Sequence, residues 1–391
     1  MPRGTFLILV FFLIVSLLLT YSSADGQRLP EKDYLFYVLS ESADKITLIR
    51  FGPKGARVER SVDTGSMPTD IDGPHGIAIS PDKKFYYVSL SNGRPFGSVW
   101  KYSVENDAVL SRVQLGYFPA TMDLSKDGQF LYVVNFNLHG DMVPSSVSVV
   151  ATGPMMEVAR IATCTMPHGS RFNAQGTKHY SACMMDDTLV EIDTSTLKVS
   201  RHFMLTRGRE MGMAGAPSAS PITPPKNSEH KHNNTGGHGM DPPKPGDDRC
   251  SPTWAQPSIE GSSVFVACNN SNEIVEVDAA TWKVKRRMPA GDGVYNLAVA
   301  KNGRLIATNK RDQSVSVFDL STGREVSRLK TKRKVLHGVV VSPDDRYAFV
   351  SVEGVGSEPG TVEIIDLEAL KIVATIDVAQ EAAGIDFLRI L

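Results

Sequence analysis

An excess of charge of one sign is missing from this 391-residue chain: 42 lysines and arginines stand against 43 aspartates and glutamates, a formal net charge of −1. So close a balance gives no global attraction to a polyanion, and nucleic acid is not an expected partner. Long apolar runs are also missing. After the segment from Phe6 to Leu19, nothing is apolar enough to cross a bilayer. Cysteine is scarce, with four in the whole chain, and no C-x-x-C-H motif is present, which excludes a covalently attached c-type haem.

What is present begins with that one apolar run. Arg3 precedes it, and the small residues Ser22 and Ala24 stand at positions −3 and −1 of a cleavage site, the layout of a secretory signal peptide over residues 1–24. An uncleaved anchor is the alternative. The expected product is a periplasmic or secreted protein with no membrane span once the signal is removed. In an exported chain, disulfides are the default state of four cysteines.

Six segments of the remainder align with one another. They are "HGIAISPDKKFYYVSL" from His75, "ATMDLSKDGQFLYVVN" from Ala120, "HGSRFNAQGTKHYSAC" from His168, "TWAQPSIEGSSVFVAC" from Thr253, "YNLAVAKNGRLIATN" from Tyr295 and "HGVVVSPDDRYAFVSV" from His337. Each reads as strand, polar turn, strand, with two further strands usually following. Measured between the turn residues Asp82, Asp127, Gln175, Glu260, Asn302 and Asp344, the spacings are 45, 48, 85, 42 and 42 residues. That pitch is the period of a four-stranded propeller blade, and the 85 is one blade plus an insertion. The C-terminal "AAGIDFLRIL" reads as a first strand with nothing after it, and the N-terminal "DYLFYVLSESADKITLIRF" as later strands with nothing before them. Together they predict a seventh blade. The expectation is an all-β, seven-bladed β-propeller over residues 25–391, closed by the C-terminal strand pairing with the N-terminal blade.

The repeat "SPDKKFYYVSL … SVWKYSVEND" resembles the YVTN-type repeat of exported YncE-like propellers. That wider group resembles the haem domain of periplasmic nitrite reductase, the propeller of nitrous oxide reductase and the lactonase propellers. The resemblance implies a fold; propellers host binding and catalysis of many kinds.

Candidate site residues gather on one face of such a ring. The first residues of the seven innermost strands read His75, Ala120, His168, Thr253, Tyr295, His337 and Ala383. Three histidines thus recur at one equivalent position facing a channel mouth, where imidazole can ligate a metal. The plain alternative is a turn histidine in "H-G". In "TCTMPHGSRF", Met166 joins His168 at the mouth. The predicted hairpin register pairs Cys164 with Cys183 and Cys250 with Cys268, two intra-blade disulfides contributing roughly 3 kcal/mol each in the chain-entropy model.

An insertion over 208–250, rich in proline, glycine, histidine and methionine, predicts a flexible loop on the same face. It carries His230, His232 and His238, and "HGDM" adds His139 to the rim. Such soft and borderline donors favour copper. Lys310, Arg311 and Arg333, with Tyr295, form a candidate site for a small anionic ligand.

These features lead to a non-catalytic exported propeller that binds a metal, copper first, or a small ligand at its channel mouth. One alternative is a scaffold for another exported protein. The other is an enzyme: a redox or tetrapyrrole-binding one using a ring histidine as axial ligand, or a lactonase-like hydrolase using His337 and Arg333.

Overall fold

The computed structural model describes residues 29–391 apart from 68, 93–95, 139 and 218–245. The expected leader and the three insertion histidines, like His139, fall outside the described residues. No described helix is long and apolar enough to cross a membrane.

The described residues form seven antiparallel sheets arranged as blades, with strands a to d running from the centre outward. Blade 1 takes strand a from Ala382–Ile390 and strands b to d from Tyr34–Ser40, Lys45–Gly52 and Gly55–Asp63. The two ends of the chain therefore close the ring as the repeat pattern predicts. Strand a is Pro74–Ile79 in blade 2, Pro119–Leu124 in blade 3, Pro167–Phe172 in blade 4, Pro252–Pro257 in blade 5, Val294–Val299 in blade 6 and Leu336–Val341 in blade 7. Each begins one residue earlier than the alignment suggests, so the recurring position is its second residue.

Burial follows from the ring. In blade 7, Tyr347–Val352 and Thr361–Asp366 are buried along their length because neighbouring blades cover both faces. The outermost strand, Lys371–Asp377, instead alternates toward solvent. The core lies between blades: Tyr37 of blade 1 stacks on Tyr86 of blade 2, which stacks on Tyr102, at centroid separations of 4.6 and 4.9 Å.

The turns have a visible chemistry. Ser80 Oγ donates to Asp82 and accepts from the Phe85 amide at 2.9 Å, and the same Ser-Asp device recurs at Ser125/Asp127 and Ser342/Asp344.

One correction concerns the insertion. Met211–Ala214 is not loop but a fifth strand of blade 4, paired with Lys198–Met204 from Arg201↔Ala214 to Met204↔Met211. It covers an outer edge that would otherwise present unpaired backbone groups. Gly212 permits this, since a Cβ there would meet the Trp282 ring at 2.4 Å.

Candidate functional site at the channel mouth

The mouth is built by a device repeated seven times. Two residues before each recurring position, the chain enters the left-handed region: Gly73, Phe118, Met166, Ser251, Gly293, Val335 and Glu381 all have φ between 48° and 70°. A register shift follows at the start of strand a in blades 2 to 7, as between Pro74 and Ile77. Such a bulge re-aims a side chain out of the ladder. Here it turns the second residue of strand a into the channel.

The glycine of each "H-G" pair also has a cause. A Cβ on Gly76 would lie 2.0 Å from the Ala120 carbonyl oxygen, and one on Gly169 would lie 2.5 Å from that of Thr253. Adjacent inner strands approach too closely for a side chain. Hydroxyls clasp them: Ser89 donates to the Ala120 carbonyl at 2.8 Å, Thr253 to Tyr295 at 2.7 Å and Thr308 to His337 at 3.1 Å.

A second ring comes from the residue that follows strand b: Glu41, Ser91, Phe136, Met184, Asn269, Lys310 and Glu353. All seven are buried. The two rings meet. His75 Nδ1 lies 2.9 Å from Glu41 Oε2, across the junction of blades 2 and 1. His168 Nδ1 lies 2.7 Å from the Thr253 carbonyl, and its Nε2 lies 3.0 Å from the Tyr295 hydroxyl. Lys310 Nζ reaches Glu353 Oε1 at 2.8 Å and stands 4.5 Å above the Tyr295 ring. His337 Nε2 is 3.9 Å from the same Glu353 oxygen, and its ring centroid is 5.1 Å from that of His75.

These contacts set proton positions. A carbonyl can only accept, so His168 Nδ1 carries hydrogen, Nε2 is the acceptor of the neutral ring, and Tyr295 donates to it. A carboxylate likewise takes the Nδ1 hydrogen of His75, leaving Nε2 as that imidazole's basic nitrogen. Burial, then the nearby Glu353 and Glu41 carboxylates, pushes the Tyr295 phenol well above its ordinary value, which keeps it a neutral donor.

The three ring histidines therefore come together with Tyr295 and Lys310. The sequence reading missed Glu41 and Glu353, although each is a charged residue ending an apolar strand at the repeat position that Lys310 occupies. Met166 packs with Phe118, Ala120, Phe136 and Met184 in an apolar cluster on the blade 3 and 4 side of the mouth.

The cations expected to receive an anion are otherwise engaged. Lys310 is buried against Glu353; Arg311 bonds Asp292 and Asn269; Arg333 pairs with Asp377 on the outermost strand of blade 7. All four cysteines are in the disulfides Cys164–Cys183 and Cys250–Cys268, so none is a thiolate ligand. Among the described residues, no group of three or more His, Cys, Asp or Glu is placed to hold a metal ion.

Beside the cluster, a groove of about 1230 Å³ opens between blades 2 and 3. Phe118 lines it and also meets the cluster, its ring centroid 5.4 Å from that of His75.

Fold and mouth together define a seven-bladed propeller with an acid–base cluster where its inner strands begin. The family model of the seven-bladed β-propeller lactonases matches residues 28–139, less than a third of the chain. Among solved structures, the periplasmic gluconolactonase PpgL of Pseudomonas aeruginosa is similar at a TM-score of 0.65 and 16% identity, covering 91% of this chain and 99% of that one. The dihydro-heme d1 dehydrogenase NirN in complex with DHE is similar at 0.55 and 14%, covering 91% and 75%. At these identities the likeness is one of fold. No curated protein matches the sequence.

Proposed function

We propose that the chain is an exported hydrolase of lactones, working at the channel mouth. The buried His75–Glu41 pair carries this reading. An imidazole whose Nδ1 hydrogen is held by a carboxylate is oriented to act as a general base through Nε2. In lactone opening, Nε2 of His75 takes a proton from water as the water oxygen bonds to the carbonyl carbon. The ring C–O bond then breaks, and the same proton passes to the leaving oxygen, giving a hydroxy acid. The partial match to the lactonase model and the fold shared with a periplasmic gluconolactonase support this choice. Export is supported by the two disulfides, which persist in oxidising compartments.

This reading replaces His337 and Arg333 by His75 and Glu41, since Arg333 is committed to Asp377. The test is lactone hydrolysis by proton release. His75→Ala is expected to lose about 10²- to 10⁴-fold in kcat, the range of general acid–base catalysis, with Glu41→Gln lower than wild type. A wild-type protein that opens no lactone ends the proposal.

A second reading keeps copper. The His75 Nδ1 atom is held by a carboxylate, the outer-shell arrangement that orients a metal-ligating imidazole. Stoichiometric copper in the purified protein, lost in a His75/His168/His337 triple alanine variant, favours it; a metal-free active enzyme rules it out.

A further inference from the structure

Resting on the lactonase reading, we infer that the substrate is a lactone bearing an apolar substituent, not a polyhydroxylated sugar lactone, with the substituent lying in the groove between blades 2 and 3.

The mouth has two unlike walls. Around blades 6, 7, 1 and 2 its equivalent positions hold Tyr295, Lys310, Glu353, Glu41 and the two histidines His337 and His75. Around blades 3 and 4, Phe136 and Met184 take the position after strand b and Phe118 and Met166 the left-handed one, joined in one apolar cluster beside His168. Nothing about the backbone requires those types. The site after strand b accepts Ser91 or Asn269 elsewhere in the ring, and the left-handed site takes glycine at Gly73 and Gly293. Phe118 and Met166 hold that conformation at φ 49° and 53°, which disfavours any residue with a Cβ.

The apolar wall continues outward. Phe96 and Tyr117 line the groove with ring centroids 5.3 Å apart, yet are 41% and 51% exposed, and Val143 beside them is 51% exposed. These side chains pack little against the protein. Among the described residues that line the groove, the one guanidinium, Arg160, is paired with Glu157. A reacting carbonyl at the polar wall with an alkyl or aryl tail past Phe118 satisfies both walls. Asn92, Asn137 and Asp141 also line the groove, but a hydroxyl-bearing chain laid along Phe96, Tyr117 and Val143 would lose water against those three side chains.

The experiment compares glucono-δ-lactone with δ-lactones of increasing alkyl chain, as kcat/KM and as binding by calorimetry. Each methylene taken from water is worth about a fourfold gain at full burial, so a five-carbon tail is expected to raise kcat/KM at least tenfold over glucono-δ-lactone. A Phe96→Ser/Tyr117→Ser variant, altered only at exposed positions, is expected to cut that preference about tenfold. Equal or better turnover of glucono-δ-lactone overturns the inference and leaves lactone hydrolysis standing. Tail-dependent binding without turnover keeps the amphiphilic ligand and removes the hydrolase. Neither binding nor turnover overturns both.

Discussion

At the scale of single residues, the mouth is a set of buried charges that depend on one another. Lys310 and Glu353 are both almost wholly inaccessible and share a 2.8 Å contact. Removing one partner leaves the other charge buried and uncompensated. Lys310→Met is therefore expected to destabilise by about 3–5 kcal/mol, while Lys310→Met with Glu353→Gln recovers most of the loss; a double-mutant cycle in denaturant measures it. A second buried group acts through pH. His179 of blade 4 has no exposed surface, lies 4.9 Å from the rings of Tyr132 and Phe172, and meets no hydrogen-bond partner among the described residues. Burial, helped by Arg171, lowers its pKa to about 3. The unfolded chain takes up this proton near pH 6.5 and the native state only near 3. Protonation thus favours unfolding, and this contribution is full above pH 6.5 and lost as pH falls toward 3. His179→Phe is expected to flatten the fall in melting temperature across that window. A variant with the wild-type pH slope refutes the assignment.

The three ring histidines were legible because the repeat places them in register. Glu353 was not seen because its aligned segment ends at Val352, one position short, and Glu41 because the N-terminal segment that contains it was not aligned with the other repeats. Lys310 was noticed for its charge and set at the mouth, but its burial was not foreseen, since a run such as "NKRDQ" reads as solvated surface until packing shows one member buried.

At the scale of the element, the left-handed entry to strand a is the recurrent device, and sequence hides it. Glycine marks it in two blades of seven. Val335, β-branched at φ 68°, is the most strained case and stands outside the polar cluster. Replacing it by glycine removes a conformational penalty of roughly 1–2 kcal/mol, offset in part by greater freedom of the unfolded chain. Val335→Gly is expected to stabilise by about 0.5–1 kcal/mol in urea titration, whereas glycine in an ordinary strand destabilises. The disulfide pairing was readable because Cys164/Cys183 and Cys250/Cys268 bracket hairpins of known turn. The fifth strand at Met211–Ala214 was not. "MGMA" lacks the alternation that announces a strand, and its pairing is decided by the free edge of Lys198–Met204.

For the whole molecule, the period of the repeat carried nearly everything: blade count, closure and which strand is innermost. The groove was invisible because Phe96, Tyr117 and Val143 belong to different strands' connections and meet only when blades 2 and 3 pack. Closure itself is open to measurement. Phe387 of the C-terminal strand is buried against Phe349 of blade 7 and in a cluster with Phe36 and Ile49 of blade 1. Phe387→Ala is expected to lower stability by about 3–5 kcal/mol in one cooperative transition. A separate early transition would show that blade 1 opens independently.

The backbone of Asp33 exchanges hydrogen bonds with that of Leu391, at 3.3 and 2.8 Å. These two ends of the ring lie side by side in one sheet, so the ring retains little memory of where its chain starts. A circular permutant joined at that seam and opened at the exposed Lys301–Asn302 turn keeps every blade and both mouth rings. Its closing sheet would then be blade 6. The order of synthesis changes, and the seven-membered circle of side chains stays as it was.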